Sequence, residues 1–377
     1  MAAVHPILRA VRAMGPSILE VAPRIEAERQ LPDELVAALT HAQVFQMYQP
    51  RTLGGPEVDP LTALAVCEEL ARLDGSVGWC AQVSAAVTIH LAWLDPDALE
   101  AMQATTDGPL HIAGSARPLG EAVRTEDGYR IKGHWNYASG VRHANWYLAT
   151  AFVDNDDGSR VARSMLVPVA DGEIVPNWDV VGMRGTGSDD FVLDDVVVPR
   201  GRTVSRHWIA KRTERLYDPR LAMVAIWAPT AGVAIGLAQG SIDALLELRD
   251  LTSTGSPTPL GQRENVQDAV AESEAITGAA RSFCHEAIGE AWALLADDSA
   301  DGKRELARAV ARAQLSITHA MGEAVRVADL CFHAAGTNAI STGNRLERFL
   351  RDAHTAVQHA AGQQIHKRAA GRTFLDL

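Results

Sequence analysis

The apolar residues of this 377-residue chain change their spacing twice, and that change limits the possible folds more than any other feature. Up to about residue 108 they recur at helical intervals, as in Ile7, Ala10, Val11, Met14 and Ile18. Pro32-Asp33-Glu34 suits a helix start, with acids near the positive end of the dipole, and Leu35, Val36 and Leu39 continue the stripe. A Gly/Pro-rich loop at 51–56 precedes Asp59-Pro60, a capping acid followed by proline at the first helical position. That helix runs through Leu64, Cys67 and Leu70 and breaks at Asp74-Gly75.

From about 109 to 200 the spacing becomes two. Glu126-Asp127-Gly128 between Ala122–Arg124 and Tyr129–Lys132 reads as a hairpin turn. Tyr147–Val153 and Ser164–Val169 flank an acidic turn at 154–158, and Phe191–Val198 closes the region before Pro199. From about 215 the helical period returns in four long stretches, the last spanning 344–369, which predicts a bundle. The reading is an α+β chain in three units: an N-terminal helical domain (1–108), a central β domain (109–214) and a C-terminal four-helix bundle (215–377). No repeat of 20–50 residues interrupts that order.

Composition excludes several classes. A net charge of −12 disfavours nucleic acid or an anionic membrane as a general partner. The run Val77–Leu94 is apolar enough to raise a membrane span, yet it contains Gln82, Ser84, Thr88 and His90 and reads as a buried helix. Four widely spaced cysteines, without a CxxC pair, argue against a disulfide framework or zinc knuckle and fit a reducing cytoplasm. No secretory signal is evident at the N-terminus. No HExxH-like spacing points to a metal, and no GxGxxG follows a strand, so a nicotinamide site of the Rossmann kind is not expected. The acidic runs 154–157 and 297–301 lack the remaining ligands of a calcium loop.

Local motifs add a resemblance that covers nearly the whole chain. Leu31-Pro-Asp-Glu-Leu-Val, Glu68-Glu-Leu-Ala-Arg-Leu-Asp-Gly-Ser76 and Val181-Gly-Met-Arg-Gly-Thr-Gly-Ser188 resemble segments of the acyl-CoA dehydrogenase superfamily. Its fold combines an N-terminal helical domain, a β-barrel-like domain and a four-helix bundle. Within it, Gly133-His-Trp-Asn-Tyr-Ala-Ser-Gly-Val-Arg-His-Ala-Asn-Trp146, Ser76-Val-Gly-Trp79 and Arg351-Asp-Ala-His354 are similar to two-component flavin monooxygenases that hydroxylate aromatics. The dehydrogenases' carboxylate base has no counterpart. Ala360 stands at one of its usual places, and Asp218-Pro219-Arg220 puts proline at the other.

The resemblance implies an oxygenase component that takes reduced FMN or FAD from a separate NAD(P)H-dependent flavin reductase. With O₂ it would form a C4a-hydroperoxyflavin in a water-poor cavity and hydroxylate a small aromatic such as a phenol or indole. N-oxygenation of an amine, and an acyl-CoA dehydrogenase with an unrecognised base, are the alternatives. A homotetramer is also implied.

His354 is the first catalytic candidate: an imidazole can take a phenol's proton or hold the peroxide's terminal oxygen. By residue pattern alone it reads more readily as a histidine satisfied inside a bundle, and the resemblance reverses that preference. His359 and His366, five and twelve residues on, are not expected to share its face. Ser139, beside Ala138 in a strand-to-turn segment, would donate a hydroxyl or main-chain N–H to the flavin's N5, although Ser-Gly is common in turns anyway. Trp79, Ser84, His111 and Ser115 are the remaining candidates for the ring's surroundings, and Arg263 and Gly336 for its phosphate. Gln82 and Gln358 are candidates for the substrate. Its identity would depend on the loops 200–220 and 251–262.

Overall fold

The computed structural model describes residues 4–155, 157–205, 213–253 and 256–377. Asp156 of the acidic turn, and 206–212 and 254–255 of the loops expected to shape the substrate's surroundings, fall outside the described residues.

Six helices come first: α1 (Pro6–Ala13), α2 (Gly15–Glu28), α3 (Asp33–His41), α4 (Pro60–Leu73), α5 (Gly75–Thr88) and α6 (Pro96–Ala104). Asp59 caps α4 as expected, its carboxylate accepting from the N–H groups of Leu61 and Thr62. Asp74 does the same for α5, accepting from Ser76 and Val77. The apolar run after Asp74 is therefore a buried helix, which tightens into a 3₁₀ turn over Ile89–Trp93.

Seven strands follow: β1 (Ile112–Arg124), β2 (Gly128–Trp135), β3 (Trp146–Asp154), β4 (Arg160–Pro168), β5 (Glu173–Val175), β6 (Asp190–Pro199) and β7 (Thr203–Ser205). They form one sheet in the order β5-β6-β2-β1-β3-β4-β7, with β1 and β3 parallel and every other pair antiparallel. Both expected hairpins are present: Arg124 pairs with Tyr129, and Asp154 with Arg160. Among the described residues β5 and β7 stand at the two ends of this mixed sheet. Trp135, Tyr147 and Phe191 fill its own small core.

The rest is helical: α7 (Ala222–Glu247), α8 (Glu264–Leu294), α9 (Ala300–Ala335), α10 (Arg345–Ala356) and α11 (Gln364–Phe374). Glycines let α7 lie directly on α4, since a Cβ at Gly232 or Gly236 would come within 2.2 Å of the Leu64 carbonyl or 2.4 Å of the Glu68 carbonyl. Among the described residues, α7 is the one helix long and apolar enough to cross a membrane, and 78% of its apolar window is buried inside the fold. The single last helix expected over 344–369 is instead two, separated by a 3₁₀ turn at Ala360–Gly362. Three long helices and a broken fourth make the bundle.

Charge is buried where the three regions meet. Asp74 and Asp352 are each 1% exposed and Arg348 only 6%. Asp352 accepts from the Met183 N–H at 2.5 Å, tying α10 to the loop before β6. Burial, followed by the nearby Asp74 carboxylate, pushes the Asp352 carboxyl up to about 7. A carboxyl that holds its proton more tightly folded than unfolded favours the fold at low pH. That contribution is lost as pH rises from the ordinary carboxyl range towards 7. We therefore expect Asp352→Asn, which keeps an acceptor for Met183, to gain thermal stability relative to wild type between about pH 4 and pH 7. Parallel melting curves for the two proteins across that interval would refute the assignment.

Candidate active site

A sharp turn after β2 builds the first wall of the site. Tyr137 adopts φ 62°, an uncommon conformation for a bulky residue, and its carbonyl accepts the Ser139 N–H at 2.9 Å. Four bonds hold this turn and its surroundings in place. Ala138 donates to the Asp189 carbonyl at 3.0 Å, and Gly140 to the Thr186 carbonyl at 2.9 Å. The fully buried Asp189 carboxylate takes the Arg142 guanidinium at 2.5 Å and the Trp178 N–H at 3.0 Å. Ser139 is thereby buried with its side chain towards α5.

There the Trp79 indole N–H donates to Ser139 Oγ at 3.2 Å. Ser139 Oγ lies 2.6 Å from Ser188 Oγ, and Ser188 Oγ lies 2.6 Å from Thr186 Oγ1. Thr186 Oγ1 in turn donates to the Met183 carbonyl at 2.8 Å. Trp79 also lines a narrow apolar cleft, too tight as it stands to hold a water molecule, with Thr230, Val233, Ala234 and Leu237 of α7, Met321 and Ala324 of α9, and Ala353, Ala356 and Val357 at the end of α10. No lining residue is acidic.

His354 does not reach this cavity. It is half-exposed and its Nε2 lies 2.9 Å from Asp329 of α9, apart from the other candidates gathered around Trp79. The reason is helical rotation: Ala353, Ala356 and Val357 take the cavity side, and the residue next to Ala353 turns away. The sequence reading passed over His359. Because α10 ends at Ala356 and the backbone is extended at His359, the His359 ring lies edge-on to Trp79, with centroids 5.4 Å apart. Its Nδ1 accepts the Ala361 N–H at 3.3 Å. Burial, with His366 adding to it, lowers its pKa to about 4, so the ring is neutral near pH 7 with its proton on Nε2. Ala360, the vacant place of the dehydrogenase base, begins that same 3₁₀ turn and is exposed.

The other candidates divide. Gln82 is buried and accepts the hydroxyl of Thr230, a cavity residue, at 2.9 Å. Ser84 is buried and spends its hydroxyl on the carbonyls of Phe45 and Ile112. His111 stacks on Phe45 with centroids 4.0 Å apart, beside His143, and burial lowers the pKa of both imidazoles. Ser115 Oγ accepts the Arg117 N–H. Arg263 turns its guanidinium to the Thr258 carbonyl of its own loop, and Gly336 is an exposed, left-handed residue ending α9. Gln358 is exposed and reaches only the His354 carbonyl. Asp218, near the other usual place of a dehydrogenase base, is paired with Arg220 at 2.6 Å.

Comparison with known proteins settles the family. Residues 7–94 match the family "Acyl-CoA dehydrogenase, N-terminal domain" and residues 228–364 match "Acyl-CoA dehydrogenase, C-terminal domain". The flavin-dependent monooxygenase oxygenase subunit HsaA of Mycobacterium tuberculosis is 32% identical over 94% of this chain and 91% of that protein. This chain belongs to the flavin-dependent monooxygenase oxygenase subunits. The oxygenase is also similar to indole-3-acetate monooxygenase of Pseudomonas putida, 28% identical over 93% of this chain and 88% of that one. Its structure resembles XiaF from Streptomyces sp., crystallised with FADH₂ and glycerol, with a TM-score of 0.84 and 26% identity over 98% and 95% of the two chains. Flavin is therefore the oxygenase's cofactor, and the donor set suits it. The turn after β2 leaves the Tyr137 ring 58% exposed, Ser139 and the neutral His359 supply uncharged polar edges, and Trp79 supplies an aromatic wall.

A direct check of this arrangement is the protonation of His359. We expect its ring resonances to stay those of neutral imidazole from about pH 5 upward, against an ordinary histidine midpoint of about 6.5. A midpoint near the ordinary value would mean that the ring is solvated and does not lie against Trp79.

Proposed function

We propose that the oxygenase hydroxylates a small neutral aromatic, a phenol or an indole, held in the cavity between α5, α7, α9 and α10. The observation that carries this reading is the wall composition: one indole, apolar side chains and a threonine, with no carboxylate among the lining residues. An ammonium substrate would be stripped of water there without a counter-charge, which disfavours N-oxygenation of an amine. A thioester dehydrogenation would lack its base. Neither alternative is supported by a particular side chain.

Reduced flavin, FMN or FAD, supplies the two electrons that activate O₂. The Tyr137–Ser139 turn and Trp79 would hold its ring, with the Ser139 hydroxyl at the ring nitrogen N5. The protein's own work is then positional. Trp79 and the α7 residues keep water from the reacting atoms, because burying apolar surface leaves no polar group to retain it. His359, neutral and carrying its proton on Nε2, donates a hydrogen bond to an oxygen of the substrate or to the oxygen being transferred. Gln82 fixes the Thr230 hydroxyl at the far wall.

A separate NAD(P)H-dependent reductase would supply the flavin, a reading supported by the likeness to oxygenase subunits and components. We place the pair in the cytoplasm and assign the oxygenase as a homotetramer. The domain limits that accompany this reading are 1–108, 109–214 and 215–377.

The experiment is a coupled assay with a flavin reductase, NADH, FMN or FAD and a panel of phenols and indoles. It would measure substrate-dependent product against hydrogen peroxide released. We expect His359→Ala to lose hydroxylation by about 10²-fold or more while still binding flavin, with peroxide replacing product. His354→Ala, which breaks a surface ion pair, should stay within about twofold of wild type. Equal losses in the two variants, or product formation unaffected in His359→Ala, would remove this reading of the cavity.

A further inference from the structure

Two imidazoles meet at one peptide group beside the cleft. His366, on the first turn of α11, has its Nε2 2.9 Å from the Ala360 carbonyl. A carbonyl only accepts, so that nitrogen carries a proton. The next N–H along the chain, that of Ala361, donates to His359 Nδ1 at 3.3 Å. The Ala360 carbonyl and the Ala361 N–H are opposite edges of a single planar trans peptide. His366 therefore grips one edge of a rigid group, and His359 the other. The surroundings are held separately. The Gln363 N–H also donates to the Ala360 carbonyl, at 3.2 Å, and the Gly362 N–H to the His359 carbonyl at 2.9 Å. Thr318 of α9, fully buried, donates its hydroxyl to the Ala361 carbonyl at 2.8 Å. The His366 ring stands edge-on to Trp227 of α7, with centroids 4.8 Å apart.

We infer that His366 is a positioning residue that fixes the tautomer of His359 through the Ala360–Ala361 peptide. This rests on the reading above, in which His359 acts by donating from Nε2. A neutral imidazole has one ring proton, and it can sit on either nitrogen. With the peptide held as it is, Nδ1 faces an N–H and must accept, which leaves the proton on Nε2. A peptide turned over would present its oxygen to Nδ1 instead. The proton would then move to Nδ1, and Nε2 could no longer donate. His366 opposes that turn, because its own N–H would be left facing an N–H. Its bond also polarises the peptide and makes the Ala361 N–H a stronger donor. The proton of His359 is thus placed by a side chain that acts only through the main chain.

Ring-nitrogen NMR of the full-length, histidine-labelled oxygenase reads the tautomer directly, with His359→Ala identifying the signal among the 13 histidines. The wild type should show His359 protonated on Nε2 alone. His366→Phe keeps a ring against Trp227 and removes the donor. His366 is only half-buried, so the change spares the core. One hydrogen bond lost corresponds to about a factor of ten in an equilibrium. We expect both tautomers of His359 in this variant and about tenfold less hydroxylation, with hydrogen peroxide making up the difference.

Two further substitutions separate this from a general loosening of the turn. His366→Gln keeps an N–H within reach of the Ala360 carbonyl and should restore both the single tautomer and the ratio of product to peroxide. Thr318→Val releases the next peptide but not this one. It should lower the melting temperature and leave tautomer and product ratio as in the wild type. The inference is overturned if His366→Phe keeps the single Nε2-protonated form, if His366→Gln fails to restore it, or if Thr318→Val mixes the tautomers to the same extent. Failure of the catalytic reading looks different. Full hydroxylation in His359→Ala, together with mixed tautomers in His366→Phe, would remove His359 from the reaction and leave its link to His366 standing.

Discussion

The peptide group of Met183 joins the parts of the molecule that must agree for the site to exist. Its N–H goes to the buried Asp352 carboxylate of α10. Its carbonyl takes the Thr186 hydroxyl at 2.8 Å, the Thr186 N–H at 3.2 Å and the Trp178 indole at 3.1 Å. A carboxylate buried on a helix is costly unless its oxygens are satisfied, and here the satisfying donor is a main-chain group of the loop before β6. Moving α10 would strand the carboxylate, and moving the loop would strand the hydroxyl chain. The left-handed backbone of Met183, at φ 55°, is held by these opposed bonds.

The same economy governs the cavity. Its imidazole is kept neutral by burial, its nearest hydroxyls are bonded to one another, and its walls are apolar. Free charge would draw in water, and water is what an oxygenase must exclude from its activated oxygen. Polar function therefore comes from groups whose charge state is fixed before anything binds, so little reorganisation accompanies binding.

Much of this was legible in the sequence because it is periodic. The switch from helical spacing to alternation, and back, placed the helices before residue 108, both hairpins and the long helices from α7 to α9. Asp59-Pro60 and the turn at Asp74 were readable as caps because capping depends on residues two or three positions apart. Trp79 and Ser139 were legible through motifs, each a short contiguous string. What failed depended on a break in period. The reading ran one helix through 344–369, and on an unbroken helix His359 is poorly placed. The actual end of α10 at Ala356, with an extended residue at His359, brings His359 to Trp79 and leaves His354 on the outer face.

The hydroxyl chain shows a second kind of limit. Thr186 and Ser188 appeared in the sequence only as parts of a glycine-rich string, and each is unremarkable in a turn. Their meaning lies in their distance from Ser139, 47 and 49 positions away, and in the fact that the chain ends at a carbonyl. Direction in a hydrogen-bond network is a property of its two ends. Neither end is marked in the motif: Trp79 comes from α5 and the Met183 carbonyl from main chain, which carries no side-chain signature. A motif can therefore single out a hydroxyl, whereas only the connected structure can say which groups that hydroxyl is bonded to.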